Sequence, residues 1–225
     1  MVTRLEEGVM WLDLQGVNAY LVEDDDALTL IDAGMPWQRD RLLRGLEAVA
    51  GSPAAVDRVL VTHVDFDHVG GIDLGGLDAP VAVGVDDESA LVGSERPDLT
   101  NPKGVLQQVS GLVRTAGDLA VRTVTDGDTV GGFTAYHTPG HTPGHTCFVH
   151  EGLSVAFLGD LVRERDGAFE RPPWFLNADH DRAGESVVAF ADRAPAFEMG
   201  CPGHGTPVVT NGRDVLAGCA GNLRN

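Results

Sequence analysis

The chain has 225 residues, 43% of them hydrophobic, enough to bury a substantial core, and 1–225 reads as a single domain. Its net charge of -18 excludes nucleic acid as a partner, because phosphate contacts need Lys and Arg and a polyanion would be repelled. No apolar stretch approaches the ~18–20 residues needed to cross a bilayer, and Met1 to Glu7 lack the apolar core of a signal peptide. The expectation is a cytoplasmic protein with no membrane partner.

In chain order, strands are expected near 8–14, 17–23, 27–31, 56–62 and 80–85, forming a first half. Between the third and fourth, Pro36 to Ala50 carries Leu42, Leu43, Leu46 and Val49 at helical spacing with Pro near the first turn. Asp24-Asp25-Asp26 reads as a solvated turn, and Gly93 to Gly117 as a less regular insertion. Strands near 119–125, 132–136, 146–150, 153–158 and 196–200 are expected to build a second half. Before the last of these, Arg182 to Arg193 places Val187, Val188 and Phe190 on one side, behind the capping candidates Asp179 and Asp181.

The richest segment for chemistry is Thr62-His63-Val64-Asp65-Phe66-Asp67-His68-Val69-Gly70-Gly71, directly behind the apolar run Val59-Leu60-Val61. Imidazoles and carboxylates bind borderline divalent metals, and an extended backbone would send His63, Asp65 and Asp67 to one side, with His68 facing a second ion. Three further motifs each begin where an apolar segment ends. They are His137-Thr138-Pro139-Gly140-His141-Thr142-Pro143-Gly144-His145, whose Pro-Gly turns stiffen the loop, then Gly159-Asp160, then Cys201-Pro202-Gly203-His204-Gly205.

In order and spacing these motifs resemble the metallo-β-lactamase superfamily of binuclear metal hydrolases. Asn18-Ala19-Tyr20-Leu21-Val22 and Leu28-Thr29-Leu30-Ile31-Asp32-Ala33-Gly34 resemble that family's first two core strands, so the likeness runs from about Asn18 to Pro207. The resemblance implies an α+β fold, the four-layer αβ/βα sandwich, with two mixed sheets face to face, helices outside and metals at the sheet edges. It also implies two divalent metal ions, zinc first. His63, the residue at 65 and His141 would hold one ion; Asp67, His68 and His204 would hold the other, with Asp160 bridging. His141 is chosen over His137 and His145 as the His of the first Pro-Gly-His, nineteen residues before Asp160. His137 and His145 are left as supporting, substrate-facing or merely satisfied loop histidines, and Asp32 as a residue that orients a ligand.

The chain departs from the family pattern at Asp65, where the family has His. A carboxylate hardens that site and brings manganese or iron into play beside zinc. Flavodiiron proteins of the same superfamily carry a Glu there and bind iron, but this chain lacks their flavodoxin domain. Alternatively Asp65 is too short to reach the metal, leaving a weak or vacant site.

The implied reaction is hydrolysis of an ester, thioester, lactone or amide bond in a small molecule, with water shared by two metals as the nucleophile, its pKa falling from ~15.7 towards ~7. Asp67 is the candidate to take or hand on a proton. Gly93 to Gly117, with Arg163 to His180, is expected to roof the site; Phe169, Trp174 and Phe175 either contact an apolar part of the substrate or simply pack, and His180 is the candidate to reach the reacting group. Two alternatives are a mononuclear iron oxidoreductase resembling persulfide dioxygenases, using His63, His141 and Asp160, and a non-catalytic metal-binding member. The oligomeric state is not legible.

Lys103 is the only lysine, against fifteen arginines, and Asp outnumbers Glu by twenty-three to eleven. This balance resembles that of proteins from extreme halophiles, whose carboxylate-rich surfaces rely on salt to screen self-repulsion. Cys147, Cys201 and Cys219 cannot all pair, which suits a reducing compartment. Cys201 reads as a buried thiol, although it lies three residues before His204.

Overall fold

The computed structural model describes residues 1–6, 8–24, 27–73, 75–93 and 120–224. Seven strands form the first sheet in chain order: β1 (Val2–Glu6), β2 (Val9–Asp13), β3 (Asn18–Asp24), β4 (Ala27–Ile31), β5 (Arg58–Val61), β6 (Val81–Gly84) and β7 (Val121–Val124). The chain meanders antiparallel through β4, then continues parallel from β4 to β7. The second sheet runs β14-β11-β10-β9-β8, from β8 (Thr129–Val130), β9 (Phe133–His137), β10 (Thr146–His150), β11 (Val155–Gly159) and β14 (Met199–Pro202). A separate hairpin joins β12 (Arg163–Arg165) to β13 (Ala168–Glu170).

The layering follows from strands that bury both faces. In β5, Val59 and Val61 pack towards helix α1 (Arg39–Ala50), with Leu42 and Leu46, while Leu60 points between the sheets to meet Phe157, Phe148 and Phe133. In β11, Val155 and Phe157 share that inter-sheet layer. Its Ala156 and Leu158 face Phe190 of α4 (His180–Arg193) and Leu216 of α5 (Gly212–Leu223). Both strands are therefore continuous apolar runs, as buried strands must be, and the result is the expected four-layer sandwich. Each fully buried Phe or Leu contributes on the order of 1.5–3 kcal/mol of transfer free energy. Two one-turn helices, α2 (Phe66–Val69) and α3 (Glu88–Leu91), follow β5 and β6. Among the described residues no helix is long and apolar enough to cross a membrane.

Several expectations are corrected. The strand near 119–125 belongs to the first sheet, not the second: β7 pairs in parallel with β6 from Val81↔Val121 to Gly84↔Val124. It thereby covers the hydrogen-bonding edge that β6 would otherwise expose. Strands β1, β8, β12 and β13 and helix α5 were not expected. The β12–β13 hairpin had a local signal, since Asp166 and Gly167 both take positive φ, 53° and 81°, as an Asp-Gly turn of the hairpin type requires. Asp24 is not solvated: its carboxylate lies 3.1 Å from His150 Nε2 and accepts the Gly132 N–H. Asp25 and Asp26, and most of the expected insertion at 93–117, lie outside the described residues. For Phe169 the packing alternative holds, since it lies in the layer under α4 and α5.

Candidate metal centre

All the expected ligands leave the C-terminal ends of core strands, where an α/β sheet opens its crevice. Asp32 follows β4, His63 follows β5, Asp160 follows β11 and His204 follows β14. The backbone is extended only through Asp65 (φ -114°, ψ 154°), which begins α2. His63 and Asp65 therefore share one side as expected, but the helical turn sends Asp67 with His68 to the other.

Four imidazoles are tethered at Nδ1 and present Nε2 to a common centre. Thr62 Oγ1 donates to Asp32 Oδ2 (2.8 Å), so its lone pair accepts from His63 Nδ1 (3.0 Å). His68 Nδ1 donates to the same Asp32 Oδ2 at 2.8 Å, and His141 Nδ1 to Asn177 Oδ1 at 3.0 Å. His204 Nδ1 donates to the Gly16 carbonyl at 2.6 Å. An oxygen acceptor on Nδ1 fixes the ring's tautomer and leaves Nε2 as the basic nitrogen, the arrangement found around metal-ligating histidines. Asp32 reaches its partners from a left-handed backbone (φ 56°), which Asp tolerates, and also accepts the Thr62 N–H at 2.8 Å.

Three carboxylates complete the centre. His63 Nε2 is 3.5 Å from Asp65 Oδ2, His68 Nε2 3.5 Å from Asp160 Oδ1, His141 Nε2 3.5 Å from Asp160 Oδ2, and His204 Nε2 3.5 Å from Asp67 Oδ2 and 3.3 Å from Asp160 Oδ2. Two donors on a tetrahedral ion with bonds of about 2.0–2.1 Å stand about 3.3–3.4 Å apart, so these spacings match donors sharing an ion better than donors bonded to each other. The buried Nε2 of His63, Nε2 of His68 and Oδ1 of Asp160 have no hydrogen-bond partner, a costly state unless something else satisfies them. Three groups each bring their donor atoms within 4.8 Å of one another: His63, Asp65 and His141; His63, His68 and Asp160; and Asp67, His68 and His204. The residues thus fit divalent ions, and Asp65 does reach the cluster, 3.0 Å from His141 Nε2. Gly203 is required by closeness, since a Cβ there would meet Asp160 Oδ1 at 2.3 Å and His68 at 2.6 Å.

The electrostatics record the same crowding. Burial disfavours the charged form of His68, but Asp32 and Asp160 hold its pKa well above the ordinary value. Asp160 pushes His204 up to about 10. Burial opposes ionisation of Asp160 and Asp67, yet His204 and His68 pull both below the usual carboxylate value. Burial and the neighbouring His68 lower His63. Cationic imidazoles here balance carboxylates that bound cations would otherwise neutralise.

The neighbouring candidates separate by their partners. His145 is fully buried behind the centre, accepting the Asp160 N–H at Nε2 (3.1 Å) and bonding Thr138 through Nδ1 (2.8 Å). His137 fastens its own loop, with Nε2 on the Pro143 carbonyl at 2.9 Å. His180 Nδ1 accepts from Asn177 Nδ2 at 2.9 Å, placing it one residue removed from His141. Trp174 is 63% exposed and meets Phe175 edge to face. Cys201 points into the inter-sheet core, where burial raises its pKa well above the ordinary thiol value. Thr62 and Asn177 were missed from sequence. Thr62 was legible as the residue preceding the first ligand, whereas nothing local marks Asn177.

This architecture and centre define a class. The profile of the metallo-beta-lactamase superfamily matches residues 12–196, and the chain belongs to that superfamily. It is similar to the "Probable metallo-hydrolase YflN" of Bacillus subtilis, 28% identical over 249 aligned positions that cover 96% of this chain and 91% of that protein. It is 29% identical to the "Uncharacterized protein YobT" of the same organism over 192 residues, 80% of each chain. Among solved structures, the metallo-beta-lactamase family protein TTHA1429 from Thermus thermophilus superposes with a TM-score of 0.74 at 22% identity, covering 98% of this chain and 81% of that one. TTHA1623 in a di-iron-bound form superposes with a TM-score of 0.67 at 28% identity, covering 92% and 94%.

Proposed function

We propose that the protein is a binuclear metallo-hydrolase that cleaves an ester, thioester, lactone or amide bond of a small molecule. The observation that carries this reading is the set of four imidazoles, each tethered at Nδ1 and turning Nε2 towards the carboxylates of Asp65, Asp67 and Asp160. His63, Asp65 and His141 would hold one ion and Asp67, His68 and His204 the other, with Asp160 between them. Divalent ions held there would supply Lewis acidity towards a carbonyl oxygen and would lower the pKa of a bound water towards ~7.

The chain's own residues supply the rest. Asp67, partly open to solvent, is the carboxylate placed to take the proton that water gives up as it attacks. Burial and Arg171 lower the pKa of His180, which favours its neutral form, and with Nδ1 occupied its Nε2 is the atom to meet the substrate. Trp174 provides an apolar wall.

Zinc is the first expectation. Asp65 and the di-iron-bound relative TTHA1623 support iron as a second reading, because a harder donor set favours iron or manganese. The test is elemental mass spectrometry on protein purified without added metal, followed by ester, thioester and lactone panels before and after chelation. Two ions per chain with chelator-sensitive turnover support the proposal. One iron without hydrolysis would favour the persulfide-type oxidoreductase, and an empty, inactive chain would make this a non-catalytic member.

A further inference from the structure

Asp87 was not anticipated as a functional residue, yet it is almost fully buried and touches both loops that bear the first ligand group. Standing at the end of the short turn after β6, its Oδ2 accepts the Val64 N–H at 3.0 Å and the Thr142 hydroxyl at 2.6 Å. Its Oδ1 accepts the Gly144 N–H at 2.7 Å. Val64 separates His63 from Asp65, and Thr142 adjoins His141, so every partner of this carboxylate is one to three residues from a ligand. The approach is close enough to demand glycine. A Cβ on Gly144 would meet the Asp87 backbone nitrogen at 2.4 Å, and one on Gly84 would meet the Gly144 carbonyl oxygen at 2.0 Å.

We propose that Asp87 is a positioning residue that locks the His63–Asp65 loop to the His141 loop and so sets the geometry of one of the two metal sites. A buried carboxylate taking three hydrogen bonds is a strong and directional anchor. Metal affinity depends on donor placement to within a few tenths of an ångström. Asp67, His68 and His204 have no hydrogen bond to Asp87 themselves, and His68 meets the clamped loop only through its own N–H on the Asp65 carbonyl (2.9 Å), so the second site is held less directly by this clamp. The inference rests on reading these residues as metal ligands.

The test is competition of metal-stripped protein with a chromophoric chelator for zinc, read as two successive affinities, with the visible spectrum of the cobalt-substituted protein as a report on donor geometry. D87N must turn an amide NH2 towards at least one of the N–H donors, and is expected to weaken one zinc equivalent by about 10–100-fold and alter the cobalt spectrum, leaving the other equivalent within about threefold. The equivalent affected should be the one that H141A abolishes. T142V, which removes a single bond and serves if D87N does not fold, should weaken the same equivalent by a smaller factor. D128A removes a carboxylate that braces an exposed turn through Thr125, and should change neither affinity. If D87N and T142V bind both equivalents like the wild type, or if both equivalents weaken together in step with a lowered Tm, the proposal is overturned. A wild type that takes up no zinc would instead sink the metal-centre reading itself and this proposal with it.

Discussion

The Nδ1 of His68 donates to Oδ2 of Asp32 at 2.8 Å, although 36 residues separate them in the chain. The same oxygen takes the Thr62 hydroxyl that supports His63, so one carboxylate aligns a candidate ligand from each of the two groups. D32N replaces one acceptor oxygen by a donor. It is expected to lower affinity for both metal equivalents by about 10–100-fold, in contrast to the one-sided effect expected of D87N. Chelator competition measures this, and unchanged affinities would show that neither ring needs Asp32 for its orientation.

Asp65 Oδ2 stands 3.0 Å from His141 Nε2 and 3.5 Å from His63 Nε2. D65H restores the family's imidazole at this position and softens the donor set. Protein produced in the same medium should show a higher ratio of zinc to iron plus manganese than the wild type. An identical metal profile would mean that Asp65 does not choose the metal.

Asp126 is bonded by both terminal nitrogens of Arg193, at 2.6 and 2.5 Å, and accepts the His137 N–H at 2.8 Å. The Arg193 bonds lower its pKa. A depressed carboxylate pKa contributes stability that is present above the unfolded value of about 3.9 and is lost as pH falls through the lower folded value. The Arg193 and Asp126 side chains are 39% and 46% exposed, so the pair is screened and contributes ~1 kcal/mol or less. D126N should therefore unfold in slightly less denaturant than the wild type at pH 7, and the gap should close as pH falls through the depressed folded value. A gap that persists unchanged at acidic pH would mean that the ion pair is not its source.

With 34 acidic against 16 basic side chains, the surface repels itself in dilute buffer. Screening by concentrated salt shortens the reach of that repulsion to roughly 3 Å at 1 M. The Tm is expected to rise by several degrees between dilute buffer and molar potassium chloride, measured by calorimetry at constant pH. A flat or falling Tm would leave the halophile-like composition without a physical consequence.

Much of the centre is written locally. The ligand types, their order and the apolar runs ahead of them are all present in the chain, because a ligand must be one of a few side chains and a doubly buried strand must be apolar on both faces, as in Val59-Leu60-Val61. Pro36 to Ala50 and the Asp179 cap were readable for the same reason, since helical spacing and capping are short-range. The Asp-Gly turn of the β12–β13 hairpin was equally local and was simply overlooked.

The amino-acid sequence by itself determined the family of folds, the residues available to hold metal and the substitution at Asp65. Only the tertiary structure decided that β7 closes the edge of the first sheet, that Asp65 reaches the cluster and that Phe169 belongs to the core. It alone revealed that His204 leans on the Gly16 carbonyl from 188 residues away, His141 on Asn177, and both ligand loops on Asp87. The division has a physical cause. Periodicity and turn chemistry act over a few residues and leave their mark in order, whereas a hydrogen bond that aims an imidazole depends on distances that exist only once the strands have packed.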